Sequence, residues 1–169
     1  MKEKALKDMD IKQILQYHNC GYPCLMVDYM SEVVPGRYAK GYKNFTYNEW
    51  FFPAHFEGDP NVPSSIQIEA MSQTLLMTFL TLPDYKKVRT ACLKIDNIRF
   101  KKKIVPGNRL DLEAELKSFR RGLALGHVVG FVDGETACRA DFTMGIPEEI
   151  AKFASHATRG GVETVGESG

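Results

Sequence analysis

Residues 52–82 read FPAHFEGDPNVPSSIQIEAMSQTLLMTFLTL, and the fold turns on how they are interpreted. A Gly/Pro-rich turn holding one histidine, His55, leads into a long apolar segment holding one carboxylate, Glu69. Pro60 and Pro63 punctuate the turn. Ser64 followed three residues later by Gln67 has the pattern of a capping box and predicts a helix start. Pro83 supplies the stop. Such a helix is roughly 27 Å long at about 1.5 Å per residue. Ile66, Ile68, Ala70, Met71, Leu75, Leu76, Met77, Phe79, Leu80 and Leu82 leave it no broad polar side. Burial nearly all round is therefore predicted.

Glu69 is the only ionisable group on that helix. Apolar surroundings disfavour a charged carboxylate, so the neutral, proton-bearing form is expected there, which is the form a general acid needs. Gln73 lies four residues on, on the same face, placed to hold the carboxyl by a hydrogen bond. Against this stands the plainer reading in which Glu69 faces a subunit contact or a water. His55 likewise has a plainer reading, as a turn histidine tied to backbone carbonyls.

The rest of the chain bounds the problem. With 169 residues it is long enough for one domain with a real core. Lys plus Arg total 22 and Asp plus Glu 21, so net charge offers no argument for nucleic acid or a membrane surface. MKEKALKDMDIKQIL at the N-terminus mixes charges and lacks the apolar run of a secretory signal. Cys20, Cys24, Cys92 and Cys138 complete no four-ligand metal set and read as reduced, mostly packed thiols of a cytoplasmic protein.

Around the central helix the pattern is short helix, then strands, then more strands. Ile11, Ile14 and Leu15 have helical spacing, with Asp10 and Gln13 as a cap, and His18 reads as a surface or capping residue. CLMVDYM, 24–30, reads as a buried strand, and RYAKGYKNF, 37–45, as a second beyond the Pro35-Gly36 turn. Trp50, Phe51 and Phe52 read as core or tunnel wall. ACLKIDNIRFKKKIV, 91–105, is a long extended run ended by Pro106-Gly107. RLDLEAELKSF, 109–119, alternates Leu110, Leu112, Ala114 and Leu116 against charges, giving one dry and one wet face. Arg121-Gly122 and Asp133-Gly134 mark hairpins. His127 shows no acidic partner in its pattern and reads as structural. PEEIAKFASHA suggests a last short helix, and the tail 158–169 reads as disordered, leaving 1–157 as a single domain. A helix that is apolar all round has to be wrapped, and the available wrapper is one curved antiparallel sheet. The class is α+β.

That architecture resembles the hot-dog fold, and three segments resemble one family within it, the (3R)-hydroxyacyl-[acyl-carrier-protein] dehydratases. GYPCLMVDY is similar to the family's opening segment. NEWFFPAHFEGDPNVPSSIQIEAMSQ is similar to its signature, a His-Phe-x-Gly-x-Pro turn before a helix carrying Glu-Ala-Met-x-Gln. IRFKKKIVPGNRLDLEAEL is similar to its later Phe-basic-basic segment. The resemblance spans about Ile14 to Met144. It implies His55 and Glu69 as catalytic residues, and Ser64, Gln73 and Gly58 as substrate-binding positions. The implied reaction is removal of water from a (3R)-3-hydroxyacyl thioester to give the trans-2-enoyl thioester, with no metal or organic cofactor. Gly-Asp-Pro at 58–60 is closer to the sister dehydratase/isomerases, whereas Glu69 replaces the Asp of that group. The chain departs from the pattern at Glu57, where Pro is usual, at Ser64, where Gly is usual, and at Gly21 and Asn108, which replace Arg and Asp.

The resemblance also implies partners. These are an acyl carrier protein and a second copy of the chain, in a homodimer that shares its sites and can gather as a trimer of dimers. Arg99, Lys101, Lys102, Lys103, Arg109, Arg120 and Arg121 form the most basic region, suited to steering an acidic carrier, or equally to a solvated strand edge. Two rivals remain open: a hot-dog thioesterase, and a non-catalytic hot-dog protein that only binds an acyl chain.

Overall fold

The structure, a computed structural model, describes residues 4–159, with side chains as far as Phe153. Seven strands form one antiparallel sheet: β1 (Leu6–Met9), β2 (Tyr29–Val34), β3 (Tyr38–Asn44), β4 (Ala91–Phe100), β5 (Arg109–Arg120), β6 (Leu123–Val132) and β7 (Glu135–Gly145), in the order β1-β2-β3-β5-β6-β7-β4. The central helix α2 (Ser64–Leu80) packs on β2, β3, β5, β6 and β7, so the sheet curls around it as the apolar pattern requires. Every residue from Ala70 to Leu80 is buried. Its start is mixed: Ser64 and Ser65 are exposed, Ile66 and Gln67 are buried, and Ile68 and Glu69 are half-buried.

The sheet is continuous because its turns are well specified. Arg121 and Gly122 (φ 52° and 75°) and Asp133 and Gly134 (φ 52° and 78°) are consecutive left-handed pairs, the geometry that matches strand twist in a two-residue hairpin. On β5, Leu110, Leu112 and Ala114 are buried as the alternation predicts, while Leu116 is half-buried. The helix packs tightly on the sheet at Gly126. A Cβ there would overlap Leu75 Cδ1 and lie 2.9 Å from the Glu115 carbonyl oxygen, so only glycine lets the two surfaces meet.

Several local expectations are corrected. The α2 N-cap is Pro63, with no side-chain cap bond; Gln67 instead turns its Nε2 to the Val62 carbonyl oxygen at 3.1 Å. The predicted strand over 24–30 begins only at Tyr29. Its earlier amides are engaged elsewhere, Cys24 and Leu25 with the Gly21 carbonyl oxygen and Met26 with the Gln73 side chain. The extended run 91–105 is strand only to Phe100, and β1 carried no strand signal of its own. The capping box of α1 (Ile11–Ile14) forms as predicted, with Asp10 and Gln13 bonding reciprocally. His18 is buried, not superficial; its Nε2 meets the Gln73 carbonyl oxygen at 3.1 Å, and desolvation lowers its pKa. Phe51 and Phe52 are core, but Trp50 is 67% exposed. His127 does have an acidic partner, Asp141 Oδ1 at 2.5 Å on the neighbouring β7.

Of the four thiols only Cys138 is buried, and burial pushes its pKa up to about 12. The last helix, α3 (Pro147–Arg159), runs two residues past the expected domain boundary, and the rest of the tail lies outside the described residues. No described helix is long and apolar enough to cross a membrane.

Candidate active site

The segment between β3 and α2 is anchored from below by a buried ammonium. Lys43 Nζ contacts Glu49 Oε1 at 2.9 Å, Asp28 Oδ2 at 3.3 Å and the Asn44 carbonyl oxygen at 2.8 Å. The Asp28 carboxylate also accepts from the Asn44 amide at 2.7 Å. From Glu49 a run of short turns climbs to the histidine: the Phe52 amide donates to Glu49 O, Ala54 to Phe51 O, and His55 to Phe52 O. Asn61 then closes the loop. Its amide donates to the His55 carbonyl oxygen at 2.9 Å, and its own carbonyl oxygen lies 3.0 Å from His55 Nδ1.

That second contact fixes the chemistry of the ring. A carbonyl oxygen only accepts, so a neutral His55 carries its proton on Nδ1 and leaves the Nε2 lone pair free to act as a base. The tie to backbone is thus real, but it engages one nitrogen and orients the other. The ring stacks on Phe56, with centroids 4.3 Å apart.

His55 lines an open groove of about 550 Å³ together with Asn61, Ser64, Gln67, Phe100 and Lys101–Lys103. The Ile66 and Gln67 amides return to the Pro63 carbonyl oxygen, whereas those of Ser64 and Ser65 take no hydrogen bond among the described residues. They are the unsatisfied donors that a helix N-terminus offers to negative charge. A larger cavity, about 630 Å³, lies against Tyr85, Val88, Ile146 and Phe153 with an acidic rim of Glu148 and Glu149. It contains no histidine and is lined by none of the His55 groove residues.

Glu69 does not line the His55 groove. Two residues on from Gln67, it projects about 200° around the helix, to the opposite side. There Gln73 holds it: Nε2 donates to Glu69 Oε1 at 2.6 Å and to the Cys24 carbonyl oxygen at 2.7 Å, while Gln73 Oε1 accepts from the Met26 amide at 2.7 Å. Gln73 is fully buried, so it positions the carboxyl and is closed to solvent. Glu69 also lies near enough to Cys20 and Cys92 to help raise both thiol pKa values, although burial is the larger cause in each. One chain therefore presents base and carboxyl on different sides of α2.

The remaining sequence-derived positions divide. Ser64 is in the groove; Gly58 (φ 76°) is an exposed bend of the histidine loop. Lys101, Lys102 and Lys103 rim the groove. Lys102 pairs with Glu135 at 2.8 Å and Lys103 with Asp59, while Lys101 has no side-chain partner among the described residues. Arg99 folds back on the Ile98 carbonyl oxygen, and Arg109 pairs with Asp111. Arg120 and Arg121 are not part of this rim. Register places them beside Leu123, Gly145 and Ala91, the opposite end of β4 from Phe100, where Arg121 covers the Phe153 ring. At about 3.3 Å per strand residue that is some 30 Å away. Lys43, Glu49 and Asn61 escaped notice because their contacts join segments whose approach no local pattern encodes.

Comparison with known proteins places the chain in a family. Residues 20–141 match the family model described as a FabA-like domain. The chain is 39% identical over 141 residues to the 3-hydroxyacyl-[acyl-carrier-protein] dehydratase FabZ of Acetivibrio thermocellus, covering 83% of this chain and 94% of that one. It is 38% identical over 143 residues to the protein of the same name from Bacillus subtilis, covering 85% and 99%. Among solved structures, the dehydratase heterocomplex ApeI:P from Xenorhabdus doucetiae superposes with a TM-score of 0.70 over 83% of this chain and 96% of that one. At 13% identity it speaks for the hot-dog fold alone. The chain belongs to the 3-hydroxyacyl-[acyl-carrier-protein] dehydratase family, whose shared unit is the FabA-like domain.

Proposed function

We propose that this protein removes water from a (3R)-3-hydroxyacyl thioester carried on acyl carrier protein, giving the trans-2-enoyl thioester, in the cytoplasm. The observation that carries the chemistry is the His55 ring, fixed through Nδ1 with Nε2 free at a helix N-terminus. Nε2 takes the α proton as the Cα=Cβ bond forms. The free amide of Ser64 stabilises the negative charge that develops on the thioester oxygen, and the helix dipole adds to it. Ser in place of Gly keeps that donor. Glu69, with Oε1 held by Gln73, donates a proton from Oε2 to the departing hydroxyl, which leaves as water. Neither step uses a metal or an organic cofactor.

Because base and acid lie on different sides of one helix, the complete site pairs His55 of one copy with the Glu69 carboxyl of another. The open outer edge of β4, with Leu93 and Phe100 exposed, offers the surface for such a homodimer. Lys101, Lys102 and Lys103 at the groove mouth steer the acidic carrier. Incubation with a panel of (3R)-3-hydroxyacyl carrier-protein thioesters should give the enoyl products. His55→Ala and Glu69→Gln should each cut turnover about 10²–10⁴-fold with the fold intact. Wild-type rates in either variant, or free acid in place of enoyl product, would refute this assignment.

A further inference from the structure

Gln67 is 5% exposed, and its Oε1 is the buried side-chain oxygen without a hydrogen-bond partner among the described residues. Its Nε2 is engaged with the Val62 carbonyl oxygen, which fixes which end of the amide is which. A buried carbonyl oxygen left unpaired costs about 1–3 kcal/mol, and native proteins keep few such atoms without a reason. This one belongs to a wall of the groove that also contains His55 and Ser64. The terminal torsion of glutamine is soft, so the amide can turn to bring Oε1 toward the groove that Gln67 lines.

The oxygen needs a donor, and the substrate has few. Resting on the dehydratase reading above, a 3-hydroxyacyl carrier thioester offers its β-hydroxyl and the secondary amide N–H two methylenes beyond the sulfur. In that reading the hydroxyl is consigned to the Glu69 carboxyl that a second copy brings to the groove. Gln67 stands one helical turn along from Ser64, a rise of about 4.5 Å. That rise is comparable to the reach of the two methylenes between sulfur and amide nitrogen. We propose that Gln67 Oε1 accepts a hydrogen bond from this amide N–H and so recognises the arm that carries the acyl group. Gln67 is then a specificity residue for the thioester carrier, with no part in proton transfer.

The test is a double-mutant cycle between residue and substrate. One substrate is the 3-hydroxybutyryl thioester of N-acetylcysteamine; the other replaces only the N–H of that arm by CH₂. Wild-type enzyme should favour the amide by about five- to tenfold in kcat/KM, chiefly through KM, the size of one net hydrogen bond. Gln67→Met, which fills the same space without the acceptor, should bring the ratio close to one, and Gln67→Leu provides the same reading should the methionine variant fold poorly. An unchanged ratio in both variants would overturn the inference, as would equal losses on both substrates; a water or plain packing would then account for the oxygen. If wild-type enzyme dehydrated neither thioester nor the carrier-bound substrate, the dehydratase reading itself would fall, a result distinct from a failed ratio.

Discussion

His18 shows how much a single buried imidazole contributes to the support of the site. It donates through Nε2 to the Gln73 carbonyl oxygen, one residue of a chain that runs on through the Gln73 side chain to Glu69. Desolvation outweighs that hydrogen bond and lowers its pKa from the ordinary 6.5. The folded state therefore binds fewer protons than the unfolded chain just below pH 6.5, and the neutral ring's contribution is lost as pH falls toward the folded-state value. Thermal unfolding followed from pH 7.5 downward should show Tm declining from about pH 6.5, and His18→Gln should flatten that part of the curve. A wild-type profile in the variant would remove His18 from the account. At this scale the sequence conveyed residue types well and environments poorly. His55, Glu69 and Gln73 were legible because a helical spacing and a Gly/Pro turn surround them. The burial of His18 and the Asp141 partner of His127 were not, because each depends on a contact from a distant strand or helix.

At the scale of elements, the histidine loop stands on Lys43, Asp28 and Glu49. The side chain of Lys43 is 9% exposed and lies between two carboxylates, a geometry in which removing the cation strands two negative charges. Lys43→Ala should destabilise by about 3–5 kcal/mol, as breaking a buried pair does, read as a lowered denaturation midpoint. Glu49→Gln keeps an oxygen for the ammonium, and should cost less stability while lowering kcat more than KM, since the turns that climb from Glu49 to His55 set the ring. Equal stability of Lys43→Ala and the wild type would show that the ion cluster is only superficial. Helix α2 was legible almost entire, because a stretch apolar on all sides has one stable place, inside a sheet. Its cap was not. Pro63 ends the loop with a fixed φ, so the backbone starts the helix without help from Ser64, and Gln67 is released toward the groove.

For the whole molecule, the proposed sharing of sites between copies makes a sharp prediction. His55→Ala and Glu69→Gln, each inactive alone, should regain activity when refolded together. Random pairing makes half the dimers mixed, each with one intact site of two, so recovery should reach about a quarter of the wild-type rate. No recovery would mean that base and acid act within one chain. Charge reversal at Lys101 and Lys103 together should raise KM for carrier-bound substrate several-fold at low salt, and leave KM for a small thioester alone; a parallel change in both would remove the docking role. The same reversal at Arg120 and Arg121 should change neither, since they sit at the far end of the sheet. From its amino acids alone the chain determined a buried helix and most of the strands and hairpins around it, and singled out His55 and Glu69 as candidates, because these follow from periodicity, turn chemistry and motif spacing along neighbouring residues. Only the tertiary structure decided which face of α2 each group occupies, which lysines share the groove with His55, and that Gln67 keeps an unsatisfied oxygen beside it. Those depend on how distant segments meet, and no spacing along the chain encodes that.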